Sequence, residues 1–168
     1  MSERSKTGDR GRNAPGASGK RHGSDKLNSI LLFAKNGVAV LPLVVRGKAP
    51  VIPGGVYSAT SRRKALRKYF RAHADANYGL ATGGSSGIFV VDVDGQEGKD
   101  SLRALESKHG VLPSTVTIKT GRGRHYYFRT KVAVGNSAGS VAKGIDIRGD
   151  GGYVVGPGSI HETGHVYR

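Results

Sequence analysis

Two aspartates separated by a single valine, Asp92 and Asp94, close the apolar run Gly87-Ile-Phe-Val-Val-Asp-Val-Asp-Gly95. A run this apolar and β-branched reads as a buried strand. Residues i and i+2 of a strand share a face, so both carboxylates point one way while Val91 and Val93 point the other. Like charges side by side repel unless a cation lies between them. A divalent metal ion with oxygen ligands is the usual cation. The competing reading is a strand that runs out into an acidic Asp-Gly turn and needs no function.

Two later stretches carry matching groups. In Thr120-Gly-Arg-Gly-Arg-His125-Tyr-Tyr-Phe-Arg129, glycines such as Gly123 let backbone N–H groups approach an anion, and Arg122 and Arg124 add charge. His125 opens a strand with Tyr127 and Arg129 on its face and Tyr126 and Phe128 opposite. The stretch fits a triphosphate cradle; the alternative is a basic hairpin turn before an aromatic core strand. In Gly144-Ile-Asp-Ile-Arg-Gly-Asp-Gly-Gly-Tyr-Val-Val155, Asp146 lies between two isoleucines, so it points away from their core, and Arg148 shares its face. Asp150 sits in a glycine turn, where Asp needs no function. Three carboxylates (Asp92, Asp94, Asp146), one histidine and several arginines suit an in-line displacement on a triphosphate. Carboxylates would hold two ions that bridge the phosphates and activate a hydroxyl, and basic groups would neutralise the phosphate oxygens. All-oxygen ligation suits Mg²⁺ better than zinc, with Mn²⁺ as a substitute.

The elements that must position these groups alternate at first. Leu27, Ile30, Leu31 and Ala34 fall at helical spacing, with Ser24 or Asp25 as N-cap and Gly37 as stop. A strand is expected over 38–45, interrupted by Pro42, then a turn at Gly47-Lys48-Ala-Pro50. Ser61 can cap a helix to Ala72 that carries Arg62, Arg63, Lys64, Arg67, Lys68 and Arg71; those charges form either a nucleic-acid face or a solvated one. A short strand over 78–81 and a tight loop lead into the aspartate strand. Asp100 can cap a helix to Lys108. Beyond Pro113 the pattern is strands, over 115–120, 124–130, 144–148 and 153–155, and His165 begins another extended segment where the chain stops. The expected fold is one α/β (α+β) domain on a mixed sheet over 27–168. Residues 1–26, rich in Gly, Ser, Lys and Arg, read as a disordered basic tail.

Composition narrows the partners. The formal net charge is +15 over 168 residues, and the seven Lys/Arg of residues 1–26 are offset by three Asp/Glu, so most of the excess belongs to the folded part. Such an imbalance favours polyanions, nucleic acid before an anionic membrane. With no cysteine, disulfides and thiolate metal sites are excluded, which fits a cytoplasmic setting. No apolar stretch reaches transmembrane length and no secretory signal is visible, so no membrane partner is expected.

Taken in order, these stretches resemble the bifunctional DNA primase/polymerase (prim-pol) domain of the archaeo-eukaryotic primase superfamily. The resemblance runs through Gly47-Lys48-Ala-Pro50, Asn77-Tyr-Gly-Leu-Ala-Thr-Gly83, Asp92-Val-Asp94-Gly95, Gly121-Arg-Gly-Arg-His125-Tyr-Tyr-Phe128, Gly144-Ile-Asp146-Ile-Arg-Gly-Asp-Gly-Gly-Tyr153 and Pro157-Gly-Ser159. It implies that Asp92, Asp94 and Asp146 bind catalytic Mg²⁺ or Mn²⁺ and that His125 contacts the incoming nucleotide. By analogy Arg122, Arg124 and Arg148 are candidates for phosphate contacts. It implies an α/β unit joined to an RRM-like unit, with the active site between them. The implied activity is primer synthesis or extension from nucleoside triphosphates on single-stranded DNA, in replication of a phage, plasmid or mobile element, with a helicase or other replication protein as a possible partner. Gly158 departs from the family, which often has a second proline there, and the family usually continues beyond this point, so a shortened C-terminus is expected.

Three other readings compete. Asp92-Val-Asp94-Gly95 also resembles the first motif of haloacid dehalogenase-type phosphatases, but Gln96 stands where that family usually has Thr or Val, and the later His and Asp stretches have no role in it. His161-Glu-Thr-Gly-His165 matches the zinc-protease pattern, but that chemistry needs a helix and Pro157, Gly158 and Gly164 point to a turn. A non-catalytic nucleic-acid-binding module would use the basic surface without metals.

Overall fold

The structure is a computed structural model that describes residues 17–137 and 139–168, with side chains from Asp25 onward. Helix α1 (Ala17–Lys35) buries Ile30 and Ala34, as the spacing predicts. It does not start at Ser24 or Asp25. Once a helix is nucleated each further residue adds at little cost, and Ala17, Lys20 and Arg21 are good helix formers. The expected disordered tail is therefore helical from Ala17, and its residues 1–16 lie outside the described residues.

Strand β1 (Val40–Leu43) contains Pro42. It is an edge strand, where a missing N–H breaks no ladder. Helix α2 (Arg63–Ala72) follows a one-turn 3₁₀ helix at Gly55–Ser58. Its N-cap is Arg62 without a side-chain cap, rather than Ser61. Strand β2 (Asn77–Ala81) leads to β3 (Ile88–Val93), and helix α3 (Gly95–His109) follows at once. Asp100, expected as the cap of α3, lies inside it and bonds Gln96 and Arg103. Gly95 and Gly98 lower the helix propensity of the first turn, which hides the true start. A Cβ on Gly98 would stand 2.4 Å from the Gly144 carbonyl, so close packing explains that glycine. Strands β4 (Val116–Lys119), β5 (Arg124–Arg129), β6 (Ile145–Arg148) and β7 (Tyr153–Val155) complete the order.

The strands form two sheets, β1-β2-β7 and β4-β5-β3-β6, and every pairing is antiparallel. The fold class is α/β as expected, but the single mixed sheet is two antiparallel ones. The reason is topological. Strands β3 and β4 do run the same way, with α3 as crossover, but β5 inserts between them and pairs antiparallel to both.

The four-stranded sheet is covered on both faces. On one, Ile88, Val90 and Tyr127 join Leu41, Tyr78, Leu80 and Val154 of the other sheet in one core. On the other, Val91, Val93 and Ile145 pack with Leu102 and Leu105 of α3. The carboxylate face of β3 therefore looks toward the other sheet. The C-terminal segment folds back. Ile160 bridges Val166, and Arg168 pairs with Lys119 at the β4 edge. His161-Glu-Thr-Gly-His165 is the turn of that hairpin, not a helix, as its glycine and flanking proline predict.

Candidate active site

The register of three strands assembles the site. Asp92 is directly opposite His125 on β5 and directly opposite Asp146 on β6. Side chains opposite each other on antiparallel strands share a face within about 5 Å at Cβ, so His125, Asp92 and Asp146 form one row. Val91 and Val93 face α3, as the alternation predicts. Asp94 is just past the strand. It is the N-cap residue of α3, with extended φ −116° and ψ 135°, yet its carboxylate makes no capping hydrogen bond. It takes the Arg122 guanidinium instead, at 2.5 Å.

Arg148 lies on the same face and donates to Asp146 Oδ2 at 2.8 Å, with Asp92 Oδ2 at 3.9 Å. Asp146 Oδ1 accepts from the Gly139 N–H at 2.7 Å. A cleft of about 450 Å³ opens beside Asp92 and His125 toward β7, with Lys48, Ser137, Arg148 and Tyr167 on its walls. A neighbouring cleft shares Lys48 and Tyr167 and adds Arg46 and Arg122.

Electrostatics differ sharply between row members. Burial raises the Asp92 carboxyl to about 6, opposed by Arg148 and reinforced by Asp94 and Asp146. Burial, then Lys48 and Arg148, lowers the His125 imidazole to about 4. The ring is thus neutral wherever Asp92 is ionised, and their 3.5 Å approach is no ion pair despite its geometry. His125 Nδ1 is buried without a hydrogen-bond partner among the described residues.

Not every expected residue arrives at the row. Arg124 points to the opposite face, beside Gln96, Lys99 and Tyr126, because it is one residue from His125 on a strand of period two. Gly123 offers no N–H to an anion, since it donates to Thr120 Oγ1 at 2.9 Å. Its glycine is required by close approach: a Cβ would stand 1.7 Å from the Val93 carbonyl. Asp150 is structural, as its turn predicts, with Oδ1 accepting from Gly84 N–H.

Lys48 and Tyr167 were missed as site residues. Asn77, 1% exposed, brings both of their segments to the cleft. Its amide donates to the carbonyls of Gly47 at 3.0 Å and Ile160 at 2.7 Å, and its carbonyl accepts from Ile160 N–H. A buried Asn in an apolar strand context was the one available signal.

A family model described as bifunctional DNA primase/polymerase, N-terminal, matches residues 30–168. The chain belongs to that family. No curated protein matches the chain. The prim-pol match spans both sheets and every element from the core half of α1 onward, so the family assignment covers the cleft and all three aspartates. At Gly158, where the prim-pol pattern often has proline, φ is +83° and the N–H donates to Tyr167 O at 2.7 Å. Proline can supply neither, so the departure is built into the turn that places Tyr167.

The family implies divalent metal. The donors are hard carboxylate oxygens, suited to Mg²⁺ or Mn²⁺, and among the described residues Asp92 makes no hydrogen bond within about 3.2 Å, the usual limit. Arg122 and Arg148 occupy the acidic partners, and among the described residues no three acidic or histidine side chains stand as a ready-made cluster. The donor chemistry fits the ion, provided the two arginines turn aside. No helix among the described residues is long and apolar enough to cross a membrane.

Proposed function

We propose that this prim-pol domain is a template-dependent nucleotidyltransferase that makes or extends primers on single-stranded DNA from nucleoside triphosphates. The observation that supports this most is the row His125–Asp92–Asp146, set by register on a cleft wall that also carries Lys48 and Arg148. Asp92, Asp94 and Asp146 are the residues to hold two Mg²⁺ or Mn²⁺ ions. When bound, the metal polarises the phosphates and makes the attacking hydroxyl acidic. Each group of the chain has a distinct task. Asp92 is ionised above about pH 6 and carries no competing hydrogen bond among the described residues. His125, neutral, can donate one ring N–H to a phosphate oxygen without adding charge. Arg122 and Arg148, released from Asp94 and Asp146, neutralise the triphosphate together with Lys48. The hydroxyl gives its proton to solvent water, its oxygen bonds to the α-phosphorus, and pyrophosphate leaves with the electrons of the broken P–O bond. Nothing in the site favours the phosphatase reading, since the two strand neighbours of Asp92 would be idle in it.

The test pairs wild type with Asp92→Ala on primed and unprimed single-stranded DNA, with labelled triphosphates and Mg²⁺ or Mn²⁺. Wild type should extend the DNA and the variant should not. Equal product from both, or product from neither, would overturn the proposal; DNA binding without product would leave the non-catalytic module.

A further inference from the structure

Helix α2 breaks local rules in one direction. Arg63, Lys64, Arg67, Lys68 and Arg71 are all exposed, and at 100° per residue they cover one continuous face. Three pairs of like charge lie at i,i+4 (Arg63 with Arg67, Lys64 with Lys68, Arg67 with Arg71), and each weakens the helix. The first turn holds Arg63 and Lys64 and no acid, against the helix dipole. The N-cap makes no side-chain bond. Among the described residues none of the five forms an ion pair, although Asp94, Asp100 and Asp146 do attract arginines elsewhere. Local conflict that the fold leaves unrelieved marks a surface kept for something outside the fold. None of the five lines either cleft beside the carboxylates.

We propose that this face of α2 is a docking surface for the phosphate backbone of single-stranded nucleic acid, separate from the catalytic cleft. The rows of cations run along the axis with a rise of about 6 Å per i,i+4 step, a ladder of charges rather than a pocket, which suits a linear polyanion. An anionic bilayer fits less well. A membrane-surface helix needs a free apolar face, and the apolar residues of α2, Leu66 and Phe70, are 3% and 4% exposed in the core. The proposal rests on the nucleotidyltransferase reading only for the kind of strand presented.

The test reads binding alone. Fluorescence anisotropy with a labelled single-stranded oligodeoxynucleotide, in chelator and without triphosphate, is titrated from about 50 to 200 mM salt. Each lost phosphate contact removes about 0.7 from the slope of log affinity against log salt. The triple variant Arg63→Gln, Arg67→Gln, Arg71→Gln should lose about 2 from that slope and at least about tenfold in affinity at the low-salt end. Its melting temperature should be unchanged or higher, because repulsion is removed and Gln is a good helix former. The charge-keeping variant with Lys at the three positions should retain the slope. Unchanged slope and affinity in the Gln variant would overturn the proposal. So would α2-dependent binding to anionic phospholipid vesicles with none to DNA, or a preference for duplex with the same α2 dependence. Asp92→Ala in the same titration separates the two ideas. Catalysis absent in wild type with the α2 slope intact removes only the catalytic reading; catalysis present without an α2 effect removes only this one.

Discussion

Replacing Asp92 by Asn should stabilise the protein, and the pH at which it does so is set by the site. Asp92 titrates near 6 in the fold, against an ordinary value of 3.8. The native state therefore holds a proton that the unfolded chain has released between about pH 4 and 6, and stability falls as pH rises through that window. Above it the ionised Asp92 costs the fold about 3 kcal/mol, at about 1.4 kcal/mol per tenfold change in acidity. Asn has the same shape and no charge. His125 works in the opposite sense. Its ring titrates near 4 against 6.5 when free, so the unfolded chain binds the extra proton and stability rises with pH between those values, again by about 3 kcal/mol. In wild type the two slopes nearly cancel; in Asp92→Asn only the histidine slope remains. Thermal melts in chelator, followed by circular dichroism, should show the variant level with wild type near pH 4. Near neutral pH it should lie roughly 6–12 °C above it, at about 2–4 °C per kcal/mol for a chain of this size. Mg²⁺ should then stabilise wild type and leave the variant unmoved. A variant no more stable than wild type at neutral pH, or a difference independent of pH, would refute the reasoning.

Three further substitutions probe the frame. Asn77→Ala removes three partly buried hydrogen bonds and strands the Gly47 and Ile160 carbonyls, so urea unfolding should show a loss of about 2–4 kcal/mol, and primer extension should fall as Lys48 loses its placement. Tyr127→Phe removes a buried hydroxyl that has no partner among the described residues, so stability should hold or rise by about 1 kcal/mol; a clear loss in the same assay would reveal a partner for that hydroxyl. Gly123→Ala drives a Cβ into the Val93 carbonyl and should part β5 from β3, with a loss of about 3 kcal/mol or more and rapid proteolysis at the 120–125 turn.

Period-two alternation was enough to place Asp92 on one face of β3 and Val91 and Val93 on the other, and to separate Tyr127 from Tyr126 and Phe128. It could not say which strands neighbour β3, because partner choice and register depend on packing far along the chain. The start of α3 was hidden for a related reason: Gly98 serves a contact with Gly144, and a propensity scale reads it only as a weak helix former. Arg124 was grouped with Arg122 as an arginine flanking the loop glycines and, by family analogy, as a candidate phosphate contact, but it is already in β5, where alternation turns it to the face opposite His125. Lys48 and Tyr167 reach the cleft through Asn77 and the turn at Gly158, contacts between segments that no local pattern joins.

The row itself is held by residues that never touch it. A slip of one residue between β3 and either neighbour would turn its side chains to the other face, and the repulsion of Asp92 by Asp94 and Asp146 favours separation of the strands. What opposes this lies behind the sheet, where Val91, Val93 and Ile145 pack against Leu102 and Leu105. Each fully buried aliphatic side chain contributes about 1.5–3 kcal/mol, so two or three of them outweigh the about 3 kcal/mol that Asp92 costs when ionised. Fixed register is thus the condition for crowding carboxylates together, and α3 supplies it. Leu102→Ala should therefore damage function beyond its stability loss, by loosening β3 against β6 and letting Asp92 and Asp146 move apart.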